Sequence, residues 1–314
     1  MPREGSTSFT DLVYGTITVE NKELEDQILI KKDGLPTYNF ANVIDDFLME
    51  ITHVVRGSEY LSSTPKYVLL YKALEIKEPK YVHLPLILNE EKEKLSKRRG
   101  DANFEDLLEE GFLEEAVLNY IALLGWAPKD NKEIFTLKEL EEAFYIEGIS
   151  KSPASFDKPK LVWMNSEYIK SMSDKDFYEM ALPYLETIKA KVDLFKVSTY
   201  CKSRVNFVKE IIELVTFIDE LKDYSTELYL HKKMKTTIEG SIKALEEVLK
   251  TNLNLELAIE NLGVKNGGVL WPVRTALTGT PTSFCGASEL IELLGEEESI
   301  KRINKGLELL KGVI

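Results

Sequence analysis

A cluster of cations follows an apolar run in the first third of the chain. Lys94, Lys97, Arg98 and Arg99 fall within six residues, and Ser96 lies among them. Lysine and arginine supply charge and hydrogen-bond donors for phosphate oxygens, and a serine hydroxyl adds a short-range donor. These residue types suit an anionic ligand. The alternative is a solvated charge run between two elements, and the cluster by itself favours neither interpretation.

The residues before the cluster predict the elements that position it. Residues 81–88 form an apolar run typical of a strand, and residues 51–55 predict a second buried strand. Between them, Thr64 and Pro65 predict the start of a helix that reaches about Leu74. This strand–helix–strand order is typical of a parallel sheet, and open α/β sheets bind ligands beyond the carboxyl ends of their strands. The cluster lies at such a position.

The rest of the chain is extended at first and helical afterwards. Residues 9–31 have a β-rich pattern, and residues 40–49 carry helical apolar spacing. After the cluster, Asn103, Thr136 and Ser173 are predicted helix caps. Helices are predicted over residues 103–110, 113–124, 136–145, 173–190, 205–221, 232–250, 255–262, 287–294 and 296–310. The predicted fold class is therefore α+β, with a partial Rossmann-type parallel sheet followed by an all-helical C-terminal region.

The composition is that of an ordinary globular protein with two or three domains. The 314 residues are 44% hydrophobic and 30% charged, and no apolar run is long enough to predict a membrane span. Cys201 and Cys285 form neither a disulfide framework nor a zinc pattern, so a reducing cytosol is the predicted setting. The formal charge of −13 argues against a general nucleic-acid coat. Any RNA binding would need local basic surfaces.

The cluster and several other segments resemble one enzyme family. Residues 94–98, with the sequence KLSKR, resemble the KMSKS loop of class I aminoacyl-tRNA synthetases in the form typical of glutamyl-tRNA synthetases. Residues 33–46 resemble the glutamate-site segment of that family. Further segments match the family in the same order, and they comprise residues 51–57, 63–66, 118–126, 149–157 and 274–279. The resemblance spans essentially the whole chain and indicates the bacterial type of glutamyl-tRNA synthetase.

The resemblance implies a four-part organisation. Residues 1–36 would be the end of the acceptor-binding insertion, and residues 37–90 the second half of the class I catalytic domain of Rossmann type. Residues 91–170 would hold the KLSKR loop and a stem-contact helical region. Residues 171–314 would form the helical cage that binds the anticodon.

The implied activity has two steps and uses ATP as a substrate. Glutamate attacks the α-phosphorus of ATP to form glutamyl-adenylate, and the glutamyl group then passes to the 3′ end of tRNA(Glu). The first step joins two anions, so catalysis is mainly positioning and charge neutralisation. By resemblance, Lys94, Ser96, Lys97 and Arg98 carry this work at the triphosphate, with Lys97 the principal candidate. Mg²⁺ would accompany ATP through phosphate oxygens, and no protein-bound metal is predicted.

Glutamate recognition falls by resemblance on Tyr38, Asn42 and Arg56. A guanidinium can form a bidentate pair with a carboxylate, and polar side chains can orient it. The alternative for Tyr38 and Asn42 is packing or helix capping. The alternative for Arg56 is a structural salt bridge with Asp45 or Asp46.

Further ATP contacts are implied for four more residues. Glu59 and Tyr60 match family positions near the ATP ribose and the terminal adenosine. The backbone of Leu86 and Ile87 is predicted to bond adenine, because strand ends offer unpaired groups.

One family feature is absent from the sequence. Class I synthetases hold ATP with a His-x-Gly-His motif, and the three histidines, His53, His83 and His231, form no such arrangement. His53 and His83 lie in apolar strand patterns and are predicted to be satisfied core residues. The resemblance therefore corresponds to the C-terminal two thirds of the enzyme, and the isolated chain is predicted to form no adenylate. The alternative is a non-catalytic tRNA-binding module derived from such a synthetase.

The predicted partners are tRNA(Glu), glutamate and ATP, and no membrane is predicted among them. The chain is predicted to be cytoplasmic and monomeric. The related glutaminyl enzyme is a weaker match, because its C-terminal part is a β-barrel whereas residues 171–314 have helical spacing.

Overall fold

The structure divides into two compact units. The computed structural model describes residues 1–89, 91–95 and 103–313. One unit comprises Met1–Met164 and the other Asn165–Ile314. Within the described residues, no helix is both long enough and apolar enough to cross a membrane. The predicted four-part division is finer than these two units and stays a prediction.

A four-stranded mixed sheet organises the first unit. Its strands are β1 (Ser6–Asp11), β2 (Gly15–Glu20), β3 (His53–Gly57) and β4 (Lys80–Leu84), in the spatial order β2-β1-β4-β3. The first two strands form an antiparallel hairpin, whereas β3 and β4 are parallel. β1 runs parallel to β4 and meets it where β1 ends. The carboxyl ends of β1, β3 and β4 therefore lie on one side of the sheet.

Two helices pack against this sheet. They are α1 (Tyr38–Leu48) and α2 (Thr64–Ala73), and α2 is the crossover between β3 and β4 that a parallel pair requires. Val68 of α2 is fully buried and packs with Phe9 of β1 and Tyr81 of β4. The predicted strand–helix–strand order and the partial parallel sheet are confirmed. The prediction that residues 51–55 form a buried strand is wrong, because β3 begins at His53 and Val55 is 56% exposed.

The strand predicted over residues 81–88 is in fact two strands. β4 ends at Leu84, and β5 (Ile87–Leu88) pairs in parallel with β6 (Ala154–Ser155). Pro85 lies between them and has no backbone N–H to donate to a ladder, so the chain changes its pairing partner there. The cation cluster therefore follows β5 and not a strand of the main sheet.

Two of the helices that follow in the first unit, α3 (Phe104–Glu110) and α5 (Leu137–Ala143), begin at their predicted caps. The Asn103 side chain accepts the backbone N–H of Asp106 at 3.0 Å, and Thr136 and Glu139 form a reciprocal capping box. The helices are α3 (Phe104–Glu110), α4 (Glu114–Gly125), α5 (Leu137–Ala143) and α6 (Lys158–Ser171). α6 was not predicted, and it contains the boundary between the two units.

The second unit is helical over its described residues. Its helices are α7 (Asp174–Leu185), α8 (Leu194–Cys201), α9 (Ile211–Asp219), α10 (Ile238–Lys250), α11 (Leu255–Leu262), α12 (Gly267–Thr278), α13 (Ala287–Leu294) and α14 (Glu296–Lys311). Three predicted helices are too long; the one expected from Lys232, for example, begins only after its N-cap, Thr237. α8 and α12 were not predicted, and α12 contains Pro272. The all-helical character of this region is confirmed.

A buried arginine joins three helices of the second unit. Arg302 of α14 is 2% exposed, and its guanidinium donates to the carbonyls of Phe217, Ile218 and Leu277 at 2.7, 3.0 and 2.9 Å. These carbonyls lie in the last turns of α9 and α12, where helices have no internal partner for them. The Nε atom donates to Glu298 at 2.8 Å. Arg302 thus caps two helix ends at once.

Candidate functional site

Arg56 lies near the carboxyl end of β3 and is held by uncharged groups. Its Nη2 donates to Thr64 Oγ1 at 3.1 Å, and its guanidinium carbon lies 4.5 Å from the Tyr67 ring centroid and 5.1 Å from that of Tyr60. The Nε atom is buried and has no partner among the described residues. The charge of this half-buried guanidinium is therefore not balanced by a contacting carboxylate of the described chain, which leaves it available for one from a ligand.

The alternative of a structural salt bridge for Arg56 is wrong for this structure. Within the described residues, neither Asp45 nor Asp46 approaches the guanidinium to ion-pair distance. Partial burial raises the pKa of Asp46 above its usual value, and the more distant charge of Arg56 opposes that rise. Asp46 therefore interacts with Arg56 through charge at a distance, and neither aspartate forms an ion pair with the guanidinium.

The other two residues predicted to bind glutamate, Tyr38 and Asn42, lie in the first turns of α1. Tyr38 is 64% exposed, whereas Asn42 is half-buried and its Oδ1 atom is buried without a hydrogen-bond partner. Their spacing of four residues places both on one face of the helix. A contact series joins α1 to Arg56, because Tyr67, whose ring the guanidinium covers, donates its hydroxyl to Asn39 Oδ1 at 2.8 Å. An orphaned buried amide oxygen is a polar group that a ligand ammonium group can satisfy.

A buried polar series lies behind Arg56. Thr64 Oγ1 is 3.3 Å from His83 Nε2, and His83 Nδ1 is 2.6 Å from Asp11 Oδ2. His83 is fully buried with both ring nitrogens partnered, so its prediction as a satisfied core residue is confirmed. The same prediction for His53 is wrong, because it lies exposed on the edge strand β3. Sequence reasoning placed Thr64 only at the start of a helix and did not identify Asp11, and no short-range spacing links either residue to His83.

The cation cluster is described only at its beginning. A turn closed by Asn89 N–H donating to the Glu93 carbonyl at 2.8 Å leads into Lys94. Lys94 Nζ forms an ion pair with Glu59, and this hydrogen bond lowers the pKa of the Glu59 carboxyl. Two predicted ATP-site residues are thus brought together. The candidates Ser96, Lys97 and Arg98 lie outside the described residues.

The backbone predicted to bond adenine is partly engaged already. The Leu86 carbonyl accepts the N–H of Ala154 at 3.0 Å, and the Ile87 carbonyl accepts the N–H of Leu95 at 3.1 Å. The expectation that strand ends leave these groups unpaired does not apply to the two carbonyls. An adenine contact at Leu86 and Ile87 stays a prediction.

Three lysines of the second unit surround one cavity, which we call the lysine pocket. Lys235, Lys243 and Lys265 line a cavity of about 440 Å³ at the N-terminus of α10. Its lining contains no acidic residue, and the three lysines make no ion pair within the described part of the chain. Thr237, the N-cap of α10, also lines it. In a chain with a formal charge of −13, this is a local basic surface of the kind that RNA binding requires.

The first unit has a partial parallel sheet with a cation near the carboxyl ends of its strands, and the second unit is helical. This combination is typical of class I aminoacyl-tRNA synthetases. A family profile described as tRNA synthetases class I (E and Q), catalytic domain, matches residues 1–163, and an anticodon binding domain profile matches residues 176–307. The chain belongs to this class I synthetase family of E and Q specificity.

Relatives within the family are glutamate–tRNA ligases. The chain is 54% identical over 325 residues to the glutamate–tRNA ligase of Clostridium botulinum (strain Eklund 17B / Type B), and the match covers 99% of this chain and 67% of the relative. It is 53% identical over 323 residues to that of Lachnoclostridium phytofermentans, covering 99% of this chain and 66% of the relative. The chain thus spans about two thirds of the length of these relatives. The predicted kinship with glutamyl-tRNA synthetases is confirmed.

A solved structure shares this architecture. The crystal structure of a glutamate tRNA ligase from Elizabethkingia meningosepticum, in complex with its amino acid, matches with a TM-score of 0.85 and 32% identity. The match covers 99% of this chain and 67% of that one. The ligase from Elizabethkingia anophelis matches with a TM-score of 0.83, also at 32% identity, over 98% of this chain and 67% of that one. The predicted fold class is confirmed by both.

Proposed function

We propose that this chain carries the glutamate-binding and tRNA-binding parts of a glutamate–tRNA ligase. The observation that carries the proposal is Arg56, a half-buried cation with an unpartnered Nε and no carboxylate partner in the described chain. Asn42 supports it, because its buried Oδ1 lacks a donor. A free amino acid offers a carboxylate for Arg56 and an ammonium group for Asn42.

The reaction makes two demands on the chain. In the first step, a glutamate carboxylate oxygen bonds to the α-phosphorus of ATP and the pyrophosphate group leaves. In the second, a hydroxyl of the terminal tRNA adenosine bonds to the carbonyl carbon and AMP leaves. Both steps need an orienting pocket and a neutralised phosphate charge. Arg56, Asn42 and Tyr38 would supply the pocket.

The phosphate charge would be met by Lys94, Lys97 and Arg98. Lys94 is poised for release, because its partner Glu59 is a partly exposed carboxylate and exposed ion pairs are weak. Glu59 and Tyr60 would contact the nucleotide or the tRNA end. ATP would carry Mg²⁺ through its own phosphate oxygens.

The glutamate site is tested by titrating the chain with L-glutamate and following binding by NMR. Arg56→Gln keeps a polar side chain but removes the charge, so binding is expected to weaken about tenfold or more. Arg3→Gln is the matched control, because Arg3 is an exposed arginine of the same unit that pairs with Asp26. Equal affinity of Arg56→Gln and wild type would refute the assignment, as would a wild-type chain that binds no glutamate.

Adenylate formation is tested by ATP–pyrophosphate exchange with glutamate. The isolated chain is expected to show no exchange, because its sequence contains no His-x-Gly-His motif. In an enzyme that contains the motif, Lys97→Ala is expected to lower the exchange rate far more than glutamate affinity, because the charge that it meets develops in the transition state. Robust exchange by the chain alone would show that other residues hold ATP. A chain that binds tRNA but not glutamate would instead support the non-catalytic module.

The tRNA-binding part is tested at the lysine pocket. Replacing its three lysines by glutamine is expected to weaken binding of a tRNA(Glu) transcript and to reduce the slope of log K against log salt by about 2 to 3, because phosphate contacts release counterions. The control is the same change at three exposed lysines of the second unit, namely Lys175, Lys191 and Lys222. If both triple variants lose affinity equally, the pocket has no special role and only net charge matters.

A further inference from the structure

Four side chains form a continuous hydrogen-bonded series that ends at the proposed glutamate site. The series runs from Asp11 on β1 to His83 on β4, to Thr64 at the start of α2, and to Arg56 on β3. The first three residues are at most 1% exposed. Burying a carboxylate, an imidazole and a hydroxyl together costs free energy unless each is hydrogen-bonded. Such a series in the core of a small sheet calls for a structural or functional reason.

Asp11 fixes the inner end of the series. Its Oδ1 accepts the backbone N–H groups of Val13 and Tyr14 at 2.9 and 2.8 Å, and its Oδ2 accepts the backbone N–H and ring Nδ1 of His83 at 3.1 and 2.6 Å. A carboxylate only accepts hydrogen bonds, so Nδ1 of His83 must carry a proton. With four donors around it, Asp11 has one orientation, and it determines the plane of the imidazole.

The tautomer of His83 follows from its surroundings. Burial lowers the pKa of His83 below its usual value, although Asp11 opposes this effect, so the imidazole is neutral near pH 7. A neutral ring with its proton on Nδ1 presents a lone pair at Nε2. That lone pair faces Thr64 Oγ1 at 3.3 Å, and the threonine hydroxyl can donate to it.

The hydroxyl of Thr64 can hydrogen-bond to the imidazole and to the guanidinium at the same time. Its hydroxyl has one hydrogen and two lone pairs, so it can donate to His83 and still accept from Arg56 Nη2 at 3.1 Å. The competing acceptor is the Tyr60 carbonyl at 2.9 Å, but Ser63 already donates to that carbonyl through its N–H and its hydroxyl, both at 3.0 Å. The Tyr60 carbonyl is therefore satisfied without Thr64.

We propose that Asp11, His83 and Thr64 are positioning residues that hold the guanidinium of Arg56 ready for a carboxylate ligand. Thr64 engages Nη2 from one side, and the rings of Tyr60 and Tyr67 confine the guanidinium plane. The Nε atom then remains without a hydrogen-bond partner within the described residues. A guanidinium locked in this way loses less side-chain entropy when a carboxylate binds. The inference rests on the proposed role of Arg56 in glutamate binding.

The experiment uses the full chain labelled with ¹⁵N and has two readouts. The first is the Arg56 Nε–H signal, which is expected to be resolved and slow in solvent exchange in the wild type. The second is L-glutamate affinity, measured by titration. Thr64→Val keeps the shape but removes the acceptor, so it is expected to speed the exchange of the Arg56 Nε–H and to weaken glutamate binding about tenfold. Thr64→Ser keeps the hydroxyl and is expected to restore both.

Thr18→Val is the matched control, because Thr18 is an exposed threonine of the same unit whose hydroxyl hydrogen-bonds to that of Ser8 at 2.8 Å. Unchanged readouts in Thr64→Val, or no rescue by Thr64→Ser, would overturn the proposal. Accelerated exchange at Arg56 in a chain that binds no glutamate would support the positioning and overturn the proposed function. The ¹⁵N shifts of His83 in the wild type give a test that needs no variant, since a proton on Nε2 in place of Nδ1 would also overturn the proposal.

Discussion

The contacts of Arg302 determine how much stability is expected to be lost when its guanidinium is removed. Arg302→Met preserves most of the apolar stem and removes the guanidinium, which leaves the carbonyls of Phe217, Ile218 and Leu277 without their donor. Each buried unsatisfied carbonyl costs about 1–3 kcal/mol. Part of that loss is offset because a buried cation no longer has to be desolvated, so the net destabilisation is expected to be about 3–5 kcal/mol.

The assay is chemical denaturation of the full chain, with hydrogen exchange of the α9 and α12 amides to assign the loss to the second unit. For a domain of this size, the expected change corresponds to a fall in Tm of roughly 10 °C. Lys301→Met is the matched control, because Lys301 is the preceding residue of the same helix and its side chain is 77% exposed. It loses the same charge and is expected to change stability by less than about 0.5 kcal/mol.

The reasoning would be refuted if Arg302→Met were no less stable than Lys301→Met. That outcome would mean that the freed carbonyls find water or new donors, and that the helix ends do not depend on Arg302. A loss of protection spread evenly over the second unit, with none concentrated in α9 and α12, would count against the capping role while leaving a general packing role.

Three further predictions concern other contacts. A hydrogen bond from Lys132 lowers the pKa of Glu139 from 4.5 to about 2. The ionised carboxylate therefore stabilises the fold above pH 4.5, and this contribution is lost as the pH falls through 2. In urea melts, the free energy of unfolding of Glu139→Gln should differ from that of the wild type at pH 6 and converge with it near pH 2. Burial raises the pKa of Cys285 to about 12 and raises that of Cys201 as well, so neither thiol should react with Ellman's reagent at pH 8 until the chain unfolds. Gly279 and Gly263 share a φ of +62°, but a Cβ at Gly279 would lie 2.7 Å from the Tyr224 ring whereas Gly263 has open space; Gly279→Ala should cost at least about 1 kcal/mol more than Gly263→Ala in thermal melts.

Local patterns predicted elements well where the deciding interactions are close in sequence. The caps at Asn103 and Thr136 act within three residues, so their helices begin as expected. α12 was not predicted because Pro272 and two glycines disfavour a helix locally, whereas burial of Val273, Ala276 and Leu277 stabilises it in the fold. The prediction of one continuous strand through Pro85 was wrong. Pro85 has no N–H for a strand ladder, but whether this ends the strand depends on its pairing partner, which local sequence does not show.

The candidate site shows the same division. Tyr38, Asn42 and Arg56 could be proposed from their resemblance to a known segment, since family motifs preserve spacing along the chain. Arg56 is held by Thr64 and lacks a carboxylate partner in the described chain. Both facts depend on where β3 and α2 meet. No periodicity in the sequence reports such a contact.

The sequence by itself determined the family of this protein, its partial parallel sheet and helical remainder, and the residue types available for an anionic substrate. These properties follow from local hydrophobic patterns and from motifs whose spacing is measured along the chain. Only the tertiary structure decided that Asp11, Thr64 and His83 meet behind Arg56, and that Lys94 pairs with Glu59. The physical reason is that hydrogen bonds and ion pairs act over a few ångströms of space, and residues far apart in the chain reach that range only when the sheet has formed.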